Sequence, residues 1–440
     1  MKGIGGHSMT DEAPALSGTA ANQAVVPAAT LKSAVSTATG LVGLCGLLIA
    51  LTIVSTTGMS NSEGALLCLA GVAAPMIAWT TLVERAYRGP TVEMDFAKPR
   101  SLAETFTTTR VKLVGLWATW LIIAAFYALI RHYDAPRYNF YFELLHDAAI
   151  PLFVLSIPYV FLVDRYMLSP RDSLWQAGQW FLRFGRADME MVKEHARCWA
   201  IKAFFIPYMF GALRGPLGKL QADVNLDPAG LATFAINFSV IVEIYFCTIG
   251  YILTIRPLDS HIRSANPLVA GWVAALLCYP PFVLSYRDGP LDYTSSSPGW
   301  VKALGDNETL MIVWLVLLIA TSAVWAWSTM IYGLRWSNLT NRGIISNGPY
   351  RYFKHPDYLA KNIRWWLLYV PFLSISGWSA IQNCALLLMM NAIYYARART
   401  EERHLMMDPQ YVAYSAWIAE NGVIPKAKRW FVSRTKALLA

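Results

Sequence analysis

The sequence predicts an all-α fold, a polytopic integral membrane protein built as a bundle of about ten transmembrane helices. Three observations lead to this fold class. Of the 440 residues, 55% are hydrophobic and only 15% are charged, whereas soluble domains average about 25% charged residues. Apolar runs long enough to cross a bilayer follow one another along the chain. The loops between these runs alternate between rich and poor in Lys and Arg.

Ten apolar segments are candidates for membrane spans, because a hydrocarbon core of ~30 Å needs about 20 helical residues. The last two are predicted to form a tight hairpin across Ser376 and Gly377, and the fifth, broken by Pro207 and Gly211, is predicted to be tilted or re-entrant. The segments lie at about 33–56, 64–84, 111–131, 148–168, 199–213, 232–255, 267–286, 309–333, 363–377 and 379–396.

The distribution of basic residues predicts the orientation of the bundle. Lys and Arg cluster in 85–112, 165–202 and 335–361, and are sparse in 57–63, 132–147, 214–231 and 287–308. The positive-inside rule then places both termini in the cytoplasm. The net charge of +9 is therefore a property of topology, and nucleic-acid binding is not predicted.

The six cysteines are scattered singly, mostly within apolar runs, and no CxxC or HExxH spacing occurs. This pattern predicts neither a disulfide framework nor a metal site.

Five regions are predicted from composition. Residues 1–30, rich in Ala, Thr, Gly and Pro, are expected to form a disordered tail. A multi-span membrane domain at 31–333 follows and contains an amphipathic interfacial helix at 171–198, in which apolar residues at helical spacing alternate with basic ones. Residues 334–425 form a C-terminal membrane module, and 426–440 a basic tail.

One acidic residue, Glu243, falls near the middle of the predicted span 232–255. A charge at that depth is costly and usually faces the bundle interior. Two interpretations stay open: a water-lined tunnel, or a neutral or locally paired structural Glu.

The most polar part of the C-terminal module begins with a rigid turn at Gly348-Pro349-Tyr350. His355 precedes Pro356, which is a favourable first helical residue, so His355 is expected at the mouth of a helix whose free N–H groups can hold an anion. Basic residues and tyrosines surround this point: Arg351, Lys354, Lys361, Tyr352 and Tyr358. Such residues also gather in ordinary membrane-interface belts.

The second half of the module ends its last span in Arg397, Arg399, Glu401 and Glu402. Arg397 and Glu401 share one helix face, as do Arg399 and Glu402, which by itself is also typical of surface salt bridges. Because a hairpin returns to the membrane face on which it starts, these groups and His355 are expected on one cytoplasmic rim. A short helix after Asp408-Pro409, carrying Tyr411, Tyr414 and Trp417, is predicted to cover this rim as a lid.

The combination of GPYRYFKHPDY with RARTEE after a hairpin resembles the isoprenylcysteine carboxyl methyltransferase and phospholipid methyltransferase superfamily. The resemblance covers about 341–425. It implies a cytoplasm-facing pocket for S-adenosylmethionine between the last helices and a lipid or lipid-linked acceptor reached from the bilayer. A multi-pass protein of a bacterial-type inner membrane is expected on this basis.

The resemblance also implies roles for residues. The acceptor-orienting Arg would be Arg397, and Glu402 or His355 would serve as the base for an amine or hydroxyl acceptor. Two departures exist: Lys354 stands where Arg is usual, and Arg403-His404 follow the Glu pair. The implied cofactor-binding set is Gly348, Pro349, Tyr350, Arg351, His355, Tyr358, Arg399, Glu401 and Glu402.

Two rival functions remain at this point. The sterol reductases share a basic-His-Pro-x-Tyr element but bind NADPH, and the adjacent acids Glu401 and Glu402 are poorly suited to its 2′-phosphate. A transporter or scaffold with a degenerate methyltransferase tail is the non-enzymatic alternative. The preferred prediction is a membrane methyltransferase without a metal, whose acceptor group is a carboxylate, an amine or a hydroxyl.

Overall fold

The computed structural model describes residues 31–130, 135–183, 187–220, 225–284, 289–305 and 307–439. The predicted disordered tail 1–30 lies outside the described residues. The described chain is almost entirely helical, and its one sheet is an antiparallel pair of two-residue strands, β1 (Ser264–Ala265) and β2 (Thr340–Asn341). The helices are α1 Thr37–Thr57, α2 Asn61–Ala78, α3 Leu102–Ile130, α4 Ala135–Tyr166, α5 Ser173–Leu182, α6 Met189–Ala212, α7 Arg214–Leu220, α8 Pro228–Ile252, α9 Val269–Leu276, α10 Gly299–Leu304, α11 Glu308–Met330, α12 Pro356–Tyr369, α13 Gly377–Leu405, α14 Pro409–Asn421 and α15 Val423–Leu439.

Six helices of the described chain are long and apolar enough to cross a membrane: α1, α2 with its extension to Val83, α3, α4 from Tyr138, α8 and α11. The first two form a hairpin in which Ser60 and Glu63 make a capping box at the start of α2. A Cβ on Gly46 would lie 1.9 Å from the carbonyl oxygen of Gly71, so the two backbones approach as small residues allow in membranes.

The predicted count of ten spans is not confirmed. The segment 199–213 belongs to α6, whose first half carries Glu190, Lys193, Glu194 and Arg197. The segment 267–286 contains only the eight-residue α9. Helix α12 has 14 residues, about 21 Å, which is too short to cross the core. Helix α13 has 29 residues, but its last third is polar.

The segment 171–198, predicted as one amphipathic helix, is divided between α5 and α6, and Asp188 caps the start of the second helix. Helix α5 packs closely on α3, since a Cβ on Gly178 would meet the carbonyl oxygen of Val111 at 2.0 Å. Residues 426–439 of the predicted basic tail belong to α15, Val423–Leu439.

The loops at the basic end of the bundle are connected to one another. Thr91 donates a hydrogen bond to Asp259 (2.7 Å) and Arg256 donates one to the carbonyl oxygen of Val92 (3.1 Å). Asp259 also pairs with Arg335 at 2.8 Å. The loops after α2, α8 and α11 therefore meet on one face.

Arg342 connects the C-terminal module to the multi-span domain. Its guanidinium, 3% exposed, donates to the carbonyl oxygens of Gly250 (2.6 Å), Ser260 (2.8 Å), Leu334 (2.8 Å) and Trp336 (3.1 Å). Together with the β1–β2 pair, these bonds hold residues 334–342 against the end of α8. This loop forms one wall of the candidate site.

Candidate active site

The turn predicted at the entrance of the site is a short 3₁₀ helix, Gly348–Arg351. Gly348 has φ of 54°, a conformation that side chains with a Cβ rarely adopt. Tyr350 is buried and packs edge-on against Tyr332, with ring centroids 5.2 Å apart. Arg351, in contrast, is exposed and lies outside the cavities described below.

His355 lies directly before α12, and Pro356 is the first helical residue, as the sequence predicts. The imidazole stacks on Tyr358, with ring centroids 5.3 Å apart and planes 4° from parallel. Its Nε2 lies 3.2 Å from Oε1 of Glu402. The hairpin of α12 and α13 therefore returns to the rim, although the 14 residues of α12 are too few to cross the hydrocarbon core.

Glu402 is surrounded by donors. Besides His355, Arg399 lies 3.0 Å and Lys354 3.4 Å from its Oε2, and Lys354 also donates to Ser415 (2.8 Å). Burial raises the pKa of Glu402, but the hydrogen bonds and positive charges of His355 and Lys354 outweigh it, so the net pKa lies below its usual value of 4.5. The carboxylate is thus held in its charged form.

The neighbouring Glu401 has a different partner. Its Oε2 accepts a hydrogen bond from the hydroxyl of Tyr358 at 2.9 Å. Among the described residues it forms no ion pair with Arg397, the residue on its own helix face. Arg397, 6% exposed, instead donates to Asn338 and lies over the rings of Tyr358 (5.0 Å), Tyr279 (5.6 Å) and Tyr394 (5.8 Å).

Helix α14 covers the rim. Asp408 caps its start and accepts a bond from Asn341 at 2.8 Å. The hydroxyl of Tyr414 donates to the carbonyl oxygen of Tyr350 at 2.6 Å, and the backbone N–H of Val423 donates to that of Tyr352 at 3.1 Å. These bonds fasten both ends of the helix to the loop around the Gly348 turn.

Two cavities lie on either side of the Glu pair. The inner cavity, about 50 Å³, is lined by His355, Glu401, Tyr350, Asn341, Tyr411 and Tyr414 among others. The outer cavity, about 440 Å³, is lined by Lys354, Arg399, Thr400, Glu402, Arg403, Met406 and Ser415. The two adjacent acids therefore face different spaces, and Lys354 borders both.

The lining of the inner cavity contains both hydrogen-bond donors and acceptors. The hydroxyl of Tyr411, whose side chain is 3% exposed, is buried and has no hydrogen-bond partner in the described part of the chain. An unpaired buried hydroxyl is costly unless a ligand satisfies it. The cavity of about 50 Å³ is much smaller than typical ligand sites of about 300–1,000 Å³, so a ligand of nucleoside size does not fit into it in this conformation.

A larger cavity of about 840 Å³ lies among the basic loops near Lys32, Arg85, Arg88 and Asp259. Arg335 belongs to its walls and to those of the inner cavity. Clustered basic residues are common in the loops of membrane proteins, so the size of this cavity alone assigns no role.

Lys361 does not lie at the mouth of α12, where the sequence analysis grouped it with the other basic residues. It lies one turn deeper, buried between Glu243 and Asp357, with Asp357 Oδ1 at 3.2 Å. Glu243 is thus locally paired, as the structural interpretation of this residue expected.

Sequence reasoning missed several residues of the site. Asn338, Asn341 and Arg342 come from the loop 334–347, whose Asn, Ser, Thr and Gly content signals turns but not which side chains point inward. Tyr411 was assigned to the lid, but nothing in the local spacing shows that its hydroxyl lacks a partner.

The fold and the site together define a class: a helical membrane protein whose C-terminal helices surround two small cavities lined by an imidazole, two carboxylates and basic groups. Residues 310–407 match the model of the isoprenylcysteine carboxyl methyltransferase (ICMT) family. The matched region runs from α11 to just beyond α13 and includes His355, Arg397, Glu401 and Glu402. It confirms the resemblance noted in the sequence and supports an enzyme of the methyltransferase kind. Comparison with curated proteins and with solved structures found no match.

Proposed function

We propose that this protein is an integral membrane methyltransferase that uses S-adenosylmethionine and acts on a lipid or lipid-linked acceptor. The observation that carries the proposal is the meeting of His355 with Glu402 and of Tyr358 with Glu401 at one rim, within the region that matches the methyltransferase family. The rim faces the cytoplasm of a bacterial-type inner membrane in this proposal, because the basic loops lie on the same face.

The residues of the rim suit the parts of S-adenosylmethionine, which supplies a methyl group on a sulfonium centre. Glu401 would accept hydrogen bonds from the ammonium or the ribose hydroxyls, and the hydroxyl of Tyr411 would donate one to a ribose oxygen. The N–H groups at the start of α12, together with Lys354 and Arg399, would hold the carboxylate. The adjoining outer cavity gives these basic groups and Glu402 room to face a ligand.

Arg397 is the candidate for orienting the acceptor. Its guanidinium is buried between three tyrosine rings and has no carboxylate partner among the described residues, so it could neutralise an acceptor carboxylate. Such an acceptor needs positioning but no base. Glu402, whose pKa is lowered, is a weak base, so an amine or hydroxyl acceptor would depend on His355 for its deprotonation.

Calorimetry on the detergent-solubilised protein tests cofactor binding. We expect S-adenosylmethionine to bind the native protein and to bind Glu401→Gln at least about tenfold more weakly, since a charge-assisted hydrogen bond contributes about 1.5–3 kcal/mol. Glu308→Gln, an exposed acid at the start of α11, is the matched control and should bind normally. No binding by the native protein, or equal binding by Glu401→Gln, would reject the proposal.

Mass spectrometry of lipids from cells with and without the protein would then identify the acceptor. The proposal expects one lipid species to differ between the two samples by the mass of a methylene group. Glu401→Gln should give the lipid profile of cells without the protein.

A further inference from the structure

Helix α12 has its polar and apolar faces reversed relative to a helix of a soluble protein. Its buried positions are Asp357, Ala360, Lys361 and Arg364, spaced for a single face. The exposed residues between them include Leu359 and Ile363. In a bilayer this arrangement turns the apolar face to lipid, so the charged stripe lines the interior of the bundle.

The carboxylates beside this stripe are already engaged. Glu243 and Asp357 both pair with Lys361. Glu243 is near enough to act electrostatically on Arg364, but it forms no hydrogen bond or ion pair with it among the described residues. The three cations Lys361, Arg364 and Arg397 therefore face only two anions, which are Glu243 and Asp357.

Arg364 is the cation left without an anion. Its side chain is 7% exposed, and its Nε and Nη1 atoms are buried without hydrogen-bond partners in the described part of the chain. The guanidinium carbon lies 4.0 Å from the centre of the Trp325 ring. Stacking covers one face of the guanidinium, but the N–H groups at its edge stay unsatisfied.

An unpaired buried charge costs several kcal/mol, and inside a membrane such residues mark sites of function. A guanidinium presents a planar fork that matches a carboxylate or a phosphate. Arg364 lies nine residues beyond His355, about 13 Å along the helix. The missing anion would therefore enter from the bilayer side rather than from the cytoplasm.

We propose that Arg364, stacked on Trp325 and unpaired within the bundle, binds the anionic group of a lipid, a carboxylate or phosphate carried on an alkyl chain. The proposal rests on the proposed function in one respect: it takes this lipid to be the methyl acceptor, and the anion at Arg364 to be a second charged group besides the carboxylate that Arg397 would hold. Binding of the lipid itself is independent of the cofactor and can be measured without it.

The test uses the full chain in neutral maltoside micelles without S-adenosylmethionine and follows thermal unfolding by tryptophan fluorescence. Four probes separate the chemistry: dodecyl phosphate, dodecanoate, uncharged dodecanol and inorganic phosphate. A ligand that binds only the folded state raises the unfolding temperature. We expect at least one charged amphiphile to raise the unfolding temperature well above the values measured with dodecanol and with inorganic phosphate.

Arg364→Gln should lose this increase, with at least tenfold weaker binding, and Arg364→Lys should keep part of it. Arg110→Gln, an exposed arginine of α3, should respond like the native protein. Without ligand, Arg364→Gln should unfold at the same temperature as the native protein or higher, because it removes an unpaired charge.

Three results would overturn the inference. In the first, Arg364→Gln keeps the full increase in unfolding temperature. In the second, inorganic phosphate alone produces this increase. In the third, Arg364→Gln without ligand unfolds several degrees lower than the native protein, which would make Arg364 a structural partner of Glu243. If the native protein does not bind S-adenosylmethionine, the proposed function is rejected, but the lipid site at Arg364 is not.

Discussion

Two charged clusters lie within the helices, and they differ in how their charges are balanced. In the multi-span domain, Lys112 (1% exposed) lies 3.0 Å from Asp164 (0% exposed) and 3.2 Å from Asp172. Arg100 (3.7 Å), Thr109 (3.1 Å) and the hydroxyl of Thr108 complete the surroundings of Asp164. In the C-terminal module, Arg364 and Arg397 have no carboxylate partner among the described residues.

We interpret the first cluster as structural and the second as the ligand-binding cluster proposed above. In the first, two cations meet two anions and hold α3, α4 and the start of α5 together. In the second, the two arginines without a carboxylate partner lie within the region of the family match. A buried cluster whose charges are all paired by the protein's own groups is expected to contribute to stability and specificity. A cluster with unpaired cations is expected to bind an anionic ligand.

The largest expected effect is on the closed cluster. Lys112→Met leaves Asp164 buried without its closest cation, which should cost about 3–5 kcal/mol of folding free energy. Thermal unfolding in maltoside micelles should show a much lower transition temperature. Because Lys112→Met with Asp164→Asn removes both charges, the double variant should recover most of the loss, and failure to recover would contradict the ion-pair explanation.

A smaller effect is expected at the open cluster from Asn338→Ala, which removes the hydrogen-bond acceptor of Arg397. A hydrogen bond to a charged group contributes about 1.5–3 kcal/mol, so methyl transfer should fall about tenfold to a hundredfold. The measurement is transfer of labelled methyl groups into lipid by isolated membranes. S-adenosylmethionine affinity should stay unchanged, and a parallel loss of affinity would show that Arg397 serves the cofactor instead.

The smallest expected effect concerns pH. The folded-state pKa of Glu402 is lowered, so its stabilising contribution is present above the usual value of 4.5 and disappears as the pH falls through the folded-state value. Because the group is only partly buried, the contribution should be below about 1 kcal/mol. The difference in unfolding temperature between the native protein and Glu402→Gln should be constant from pH 7 to 5 and shrink at lower pH. A difference that grows on acidification would contradict this sign.

The sequence was sufficient for the features that depend on local pattern. Apolar runs located the six long helices, and the turn, the His-Pro pair and the paired acids located the rim. Hydropathy predicted spans at 267–286 and 363–377, where the apolar runs are interrupted by proline. Helix α9 ends before Pro280-Pro281, and α12 ends before Pro371, where Val370 adopts φ of 40°.

Long-range partners were not predictable from spacing. Arg397 and Glu401 share a helix face, yet Arg397 bonds Asn338, 59 positions away in the chain. Glu243 pairs with Lys361, 118 positions away. Such contacts depend on how helices pack, which the sequence pattern of either helix does not contain.

The bonds of Arg342 also limit how this protein could be divided. A fragment containing only residues 310–407 would keep the carbonyl groups of Leu334 and Trp336, but it would strip Arg342 of those of Gly250 and Ser260 and leave β2 without β1. Lys361 would lose Glu243 at the same time. The region that matches the family model is therefore expected to need the preceding helices in order to fold as it does in the whole chain.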